Sequence, residues 1–118
     1  MYKKTTELSV ELYQLELPKG SKKVLDKELE ILREISKHIP KLVAESYGNK
    51  FSNLNIGLAK LEKAMELISD TISKIDFLLV AVDDKDFKEI LNGILKKYQI
   101  QRRKILNLKK AWSRVFGN

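Results

Sequence analysis

The sequence contains no cysteine and a single histidine, His38, among its 118 residues. Without cysteine the chain cannot form a disulfide, a thiol nucleophile or a thiolate metal site. With one histidine it lacks the pair that a histidine-bound metal needs, and a Ser-His-Asp triad would have to use that one ring. The sequence also has no G-x-x-x-x-G-K phosphate loop and no H-E-x-x-H motif. We therefore expect a protein that is not an enzyme, with no cofactor and no metal site.

Long apolar runs are also missing. The longest, residues 77–82, has six residues, whereas a membrane-spanning helix needs ~18 or more. The first residues, MYKKTTE, lack the apolar stretch of a secretion signal. We expect a soluble, cytoplasmic, single-domain protein over residues 1–118 that has no contact with a membrane.

Glycine and proline are scarce, with five and two residues, and the abundance of Leu, Ile, Lys and Glu favours helices. In the second half of the chain, apolar residues recur at alternating steps of four and three, which places them on one side of a helix. This spacing predicts two long helices, over 52–82 and 86–116. The first series is Leu54, Leu58, Leu61, Met65, Ile68, Ile72, Ile75, Leu79 and Val82. The second is Phe87, Leu91, Ile94, Tyr98, Gln101, Ile105, Leu108, Trp112 and Val115.

The first half of the chain predicts two further helices. One covers 21–47, with Ser21 as its cap and a bend at Pro40, on the spacing of Leu25, Leu29, Leu32, Ile35, Ile39 and Val43. The other covers 6–17, where the spacing of Leu8, Leu12 and Leu15 favours a helix, although Leu8, Val10 and Leu12 also alternate as in a strand. The predicted fold is all-α, an antiparallel up-down-up-down four-helix bundle.

Between the two long helices lies the acidic sequence Asp83-Asp84-Lys85-Asp86. Three carboxylates this close can bind a metal ion, but they also suit the start of a helix. There Asp84 can accept hydrogen bonds from free backbone amides, and the other acids favour the helix dipole. We prefer the helix start.

The positive charge of the chain is concentrated in its last predicted helix. Residues 88–118 contain nine Lys or Arg and one acid, a net charge of +8, whereas residues 1–87 contain fourteen basic and fifteen acidic residues, a net charge of −1. If Leu91, Tyr98, Ile105 and Trp112 take position a of a heptad and face the core, most of the basic residues fall at positions e, f and g. These positions form a ridge along the back of the helix, opposite the core side. We call eight of them the basic face: Lys96, Lys97, Arg102, Arg103, Lys104, Lys109, Lys110 and Arg114.

This basic face predicts binding of a polyanion. A solvated helix surface usually mixes charges, as residues 60–70 do, because like charges one turn apart repel by about 0.2–0.5 kcal/mol. Nucleic acid is favoured over a membrane, since the apolar side of the helix is needed for the core, and Arg102 and Arg103 can each bind a phosphate through two hydrogen bonds. A plain solvated surface and an acidic protein partner remain as alternatives.

Several apolar residues fall outside the core series and predict a partner surface, of which self-association is the simplest kind. They are Phe77, Leu78, Val80, Ile100 and Leu106.

Three short motifs resemble a known superfamily of four-helix-bundle proteins. HIPKLVAESYGNKF (38–51) resembles the second-helix signature I-P-x-x-I-A-E-G-x-G-R of proteins encoded in intervening sequences of bacterial ribosomal RNA genes, with Ser46 in place of a glycine and Asn49 in place of an arginine. IGLAKL (56–61) and AWSRV (111–115) resemble the related accessory variability determinant (Avd) proteins of diversity-generating retroelements.

The Avd resemblance implies a homopentamer that binds nucleic acid and the reverse transcriptase of its element, and so supports mutagenic copying of a template RNA. The alternative that the motifs leave open is an intervening-sequence protein, whose role is obscure.

Overall fold

The computed structural model describes residues 1–115, which form four α-helices and no strand. The helices are α1 (Tyr2–Gln14), α2 (Lys23–Asn49), α3 (Leu54–Ala81) and α4 (Lys85–Val115). They form a compact rod of 55 × 19 × 19 Å in which α1 packs on α2 and α4, and α3 also packs on α2 and α4. The predicted all-α fold of four packed helices is confirmed. Residue 116, the predicted last residue of the fourth helix, lies outside the described residues.

Helix α1 begins and ends earlier than the predicted 6–17. Its first turn reaches the start of the chain, where the Thr5 hydroxyl donates to the carbonyl of Met1 at 2.8 Å. The backbone becomes extended at Leu15, and Arg33 of α2 donates from Nε to the carbonyl of Leu12 at 2.9 Å. This side chain satisfies a carbonyl that the end of a helix leaves without an intrahelical partner. The short α1 therefore covers only part of the length of the other three helices.

The other helix starts are set by local hydrogen bonds. Ser21 is not the cap of α2, because its hydroxyl donates to the carbonyl of Pro18 at 2.7 Å, and the helix begins two residues later. Asn53 caps α3 by accepting from the amide of Ile56 at 3.2 Å. The predicted cap Asp84 is confirmed, since its Oδ1 accepts from the amide of Phe87 at 2.9 Å.

The core series predicted for α4 is buried from Phe87 to Trp112, except that Leu108 is half-buried, while Val115 is exposed. In α3 the series is only half right. Its buried residues are Gly57, Leu61, Ala64, Ile68, Thr71, Ile75 and Leu78, whereas five members of the predicted series are only half-buried: Leu54, Leu58, Met65, Ile72 and Leu79.

Small residues explain why the buried side of α3 is rotated away from the predicted one. Gly57, Ala64 and Thr71 are spaced by seven residues and lie at the centre of the buried side of α3. A Cβ on Gly57 would lie 3.2 Å from the carbonyl oxygen of Ser46 in α2, so the glycine permits a close approach of the two helices. A pattern based on large apolar residues misses such positions. Leu78, predicted to lie outside the core, follows the same seven-residue spacing and is fully buried.

Candidate nucleic-acid interface

All eight residues of the basic face lie on α4, and all of them except the half-buried Lys109 are exposed. The reason is the register of the helix, which buries Tyr98, Ile105 and Trp112 and turns the basic residues away from the core. The structure therefore brings the sequence-predicted residues together on one side of one helix.

Three of the basic residues are held by neighbouring helices. On the side of α3, Arg102 Nε donates to Ser69 Oγ at 2.9 Å, and Lys109 forms an ion pair with Glu62. On the side of α1, Lys97 Nζ lies 3.0 Å from Glu11 Oε1. The two glutamates neutralise Lys97 and Lys109, and Ser69 positions Arg102, so the basic face is held at the edges that adjoin α1 and α3.

Five residues of the basic face make neither an ion pair nor a side-chain hydrogen bond within residues 1–115: Lys96, Arg103, Lys104, Lys110 and Arg114. Three of these, Lys96, Arg103 and Lys110, are spaced by seven residues. At 1.5 Å per residue they form an outward row with a spacing of about 10 Å, roughly 20 Å long. The result is a line of three solvent-exposed cations along the outer side of α4.

An open groove of about 670 Å³ runs beside this row, between α3 and α4. Arg102, Arg103 and Gln99 line it from α4, and Ser69 and Ser73 line it from α3, with Ile72 and Leu106. Two guanidinium groups, two hydroxyls and an amide supply several hydrogen-bond donors for phosphate oxygens. Sequence reasoning missed Gln99, Ser69 and Ser73, and the four-residue spacing of the two serines on α3 was the one signal available.

The aromatic residues of α4 pack in the core, as predicted. Tyr98 is fully buried and Trp112 is 3% exposed. The Trp112 ring meets the edge of Tyr47 from α2, with centroids 5.2 Å apart, and the Nζ of Lys50 lies 5.5 Å from the Trp112 centroid. This cluster closes the end of the bundle that α1 does not reach, and its buried Trp112 ring is not available to stack on a base.

Two buried polar atoms of α4 make no hydrogen bond within the described residues. They are the Tyr98 hydroxyl and Gln101 Oε1. Burial raises the pKa of the Tyr98 hydroxyl well above its usual range, and the nearby Ser36 hydroxyl, whose geometry falls short of a hydrogen bond, offsets only part of that rise. Nearby, the hydroxyls of Ser9 and Ser36 bond to each other at 3.1 Å, and that of Ser36 donates to the carbonyl of Arg33.

In the described part of the chain, no three His, Cys, Asp or Glu side chains are grouped so that they could hold a metal ion. His38 lies on the surface of α2, as predicted, with Nε2 3.7 Å from Glu34 Oε1. Over residues 1–115 no helix combines the length and apolar character needed to cross a membrane.

Comparison of the chain with models of known protein families, with curated proteins and with solved structures found no match.

Proposed function

We propose that this protein binds RNA or DNA through the basic face of α4. The observation that carries the proposal is the group of five exposed cations that make no ion pair and no side-chain hydrogen bond in the described residues, three of them in one row. Such a row can follow a phosphate backbone and release its condensed counterions, which supplies most of the affinity in non-specific nucleic-acid binding.

The burial of the apolar side of α4 favours nucleic acid over a membrane surface. An amphipathic helix binds a bilayer by inserting apolar side chains, but Tyr98, Ile105 and Trp112 are already enclosed by the other helices. The groove beside Arg102 and Arg103 offers hydroxyl and amide donors in addition to charge, and this combination suits phosphate. The proposal is for a binding protein without catalytic activity and without cofactor.

Four contacts support an antiparallel, up-down-up-down arrangement as part of this proposal. Going along α2 from Glu28 to Glu45, the partners on α3 run backwards, from Lys74 to Lys60. The same reversal relates α3 to α4, where Glu62 pairs with Lys109 and Ser69 with Arg102.

From the motif resemblance we further propose an accessory role in a diversity-generating retroelement. The protein would act in the cytoplasm as a homopentamer and bind the reverse transcriptase of the element as well as nucleic acid. The alternative is an intervening-sequence protein. The genes beside the coding sequence separate the two, because a reverse transcriptase with paired repeats indicates the retroelement and a ribosomal RNA operon indicates the intervening sequence.

The test of nucleic-acid binding is a matched pair of charge-reversal variants. One changes Lys96, Arg103 and Lys110 to Glu. The control changes three exposed lysines on α1 and α2 to Glu, namely Lys3, Lys27 and Lys41. Both variants have the same net charge. We expect the first to bind labelled RNA and duplex DNA at least tenfold more weakly than the native protein at ~150 mM salt, and the control to stay close to native.

Fluorescence anisotropy gives the affinities, and circular dichroism checks that both variants remain helical. The slope of log K against log salt should be about −0.7 to −0.9 per phosphate contacted. Changing Glu62 to Gln should strengthen binding a few-fold, because it frees Lys109 and removes a negative charge. Equal weakening in both triple variants, or no native binding at this salt concentration, would show that the basic face is only a solvated surface.

A further inference from the structure

A second surface lies at the other end of the molecule, where α1 ends and α4 begins. An open groove of about 450 Å³ runs between them, with an apolar lining of Leu15, Pro18, Phe87, Ile90 and Ile94. Leu15, Phe87 and Ile94 belong to the core and form its floor, whereas the Ile90 side chain is 57% exposed at its rim. Ile90 therefore offers one exposed apolar contact in this groove, and the charged residues around it determine which kind of partner could use it.

The charged residues that line this groove are all acidic: Glu11, Glu16, Asp84 and Asp86. Lys97 pairs with Glu11 at its edge, and one oxygen of Asp84 caps α4. Glu16 and Asp86 make no ion pair with any residue in 1–115. The neighbouring groove across the same loop differs, because Lys19 and Lys22 accompany its acidic residues.

We propose that this groove binds a basic amphipathic segment of a partner protein. An apolar side chain of the segment would lie on Ile90 and the groove floor, while its Lys or Arg side chains would approach Glu16 and Asp86. The charge of the groove determines the kind of partner. The carboxylates of Glu16, Asp84 and Asp86 form no ion pair within residues 1–115, so they repel a polyanion and attract a cationic peptide. This surface therefore has the opposite charge to the basic face. The inference does not depend on nucleic-acid binding.

The probe for this proposal is a fluorescein-labelled peptide of 18 residues, composed of Leu and Lys, with the leucines on one side of a helix. A scrambled peptide of the same composition, with leucines on all sides, is its control. Binding is measured by anisotropy at ~150 mM salt to the native protein, to Ile90→Gln and to the pair Glu16→Gln with Asp86→Asn.

Two control proteins match these changes elsewhere on the surface. Val80→Gln alters an exposed apolar side chain of α3, which is 86% exposed, and Asp70→Asn with Asp76→Asn removes two exposed acids of α3. We expect at least tenfold weaker peptide binding for the two groove variants and native binding for both controls. Because Ile90 is exposed, its substitution should leave the helical content unchanged, which circular dichroism verifies.

Three results would overturn the proposal. Equal weakening by the control pair Asp70→Asn with Asp76→Asn, or equal binding of the scrambled peptide, would show only a general attraction of cationic peptides to acidic residues. A lower sedimentation mass for Ile90→Gln would show that a second copy of the chain occupies the groove instead. RNA binding by Ile90→Gln should stay native, so that failure here is distinguishable from failure of the proposed nucleic-acid interface.

Discussion

Two adjacent leucines near the end of α3 test the packing of the bundle directly. The spacing of large apolar residues predicts that Leu79 lies in the core and Leu78 outside it. The structure reverses them, with Leu78 fully buried and Leu79 half-buried against the edge of the core. Replacing each by Ala removes the same atoms from the same helix, so the small gain in helix propensity is common to both variants and cancels in the comparison.

The expected magnitudes follow from burial. A fully buried Leu→Ala change costs about 2–5 kcal/mol, through lost apolar burial and the cavity left behind. Leu79 keeps part of its surface in water, so we expect about 1 kcal/mol there. For a chain of this size 1 kcal/mol corresponds to roughly 3–6 °C in melting temperature. Leu78→Ala should therefore melt about 10–15 °C below the native protein, and Leu79→Ala only about 5 °C below it.

Urea unfolding measures the difference, followed by far-ultraviolet circular dichroism and by the fluorescence of Trp112, the single tryptophan. Coincident transitions from the two probes would justify a two-state free energy. The proteins should be compared at equal concentration, because any self-association adds to apparent stability. If Leu79→Ala loses as much stability as Leu78→Ala, or more, the rotation of α3 is wrong and the sequence pattern identified the core side correctly.

Two further predictions concern Tyr98 and the assembly. Tyr98→Phe removes a buried hydroxyl that makes no hydrogen bond within the described residues, so stability at neutral pH should stay equal or rise by about 1 kcal/mol. Burial raises the pKa of Tyr98 in the folded state. Above about pH 10, the pKa in the unfolded state, the tyrosine ionises more readily in the unfolded chain, so the free energy of unfolding of the native protein falls as the pH rises. The variant should therefore lose less stability than the native protein above pH 10 in urea unfolding, and a large loss at neutral pH would contradict this. Light scattering should give a mass near five times 13.7 kDa, and a monomer would remove the proposed pentamer.

The contrast between α3 and α4 shows how far sequence periodicity identifies a helical core. In α4 the contact side is made of large residues, from Phe87 to Trp112, so the spacing of large apolar residues coincides with the buried side. In α3 the centre of the contact side contains Gly57, Ala64 and Thr71. These residues carry little hydrophobic signal, although at Gly57 the missing side chain permits a close approach to α2.

The sequence predicted where the basic residues of the candidate interface lie, but not which acidic residues pair with them. The heptad register alone places Arg103 and Lys110 on the outside of α4, and both are exposed there. The pairing of Lys97 with Glu11 joins residues 86 positions apart, and no local pattern encodes such a contact. It depends on the packing of α1 against α4, which brings Glu11, near the end of α1, beside Lys97.

These pairings also bear on the purpose of the positive charge. Lys97 and Lys109, which adjoin neighbouring helices, are both neutralised by glutamates. The outward positions Lys96, Arg103 and Lys110 are among those without an acidic partner in the described residues. If the charge served only solubility, acids could alternate with bases on that outer surface and remove the repulsion between them, as they do on α3, where Lys63 pairs with Glu66. Acids therefore pair with the cations of α4 that lie beside neighbouring helices and do not pair with those of its outer row, and this distribution is consistent with the proposed binding of a polyanion.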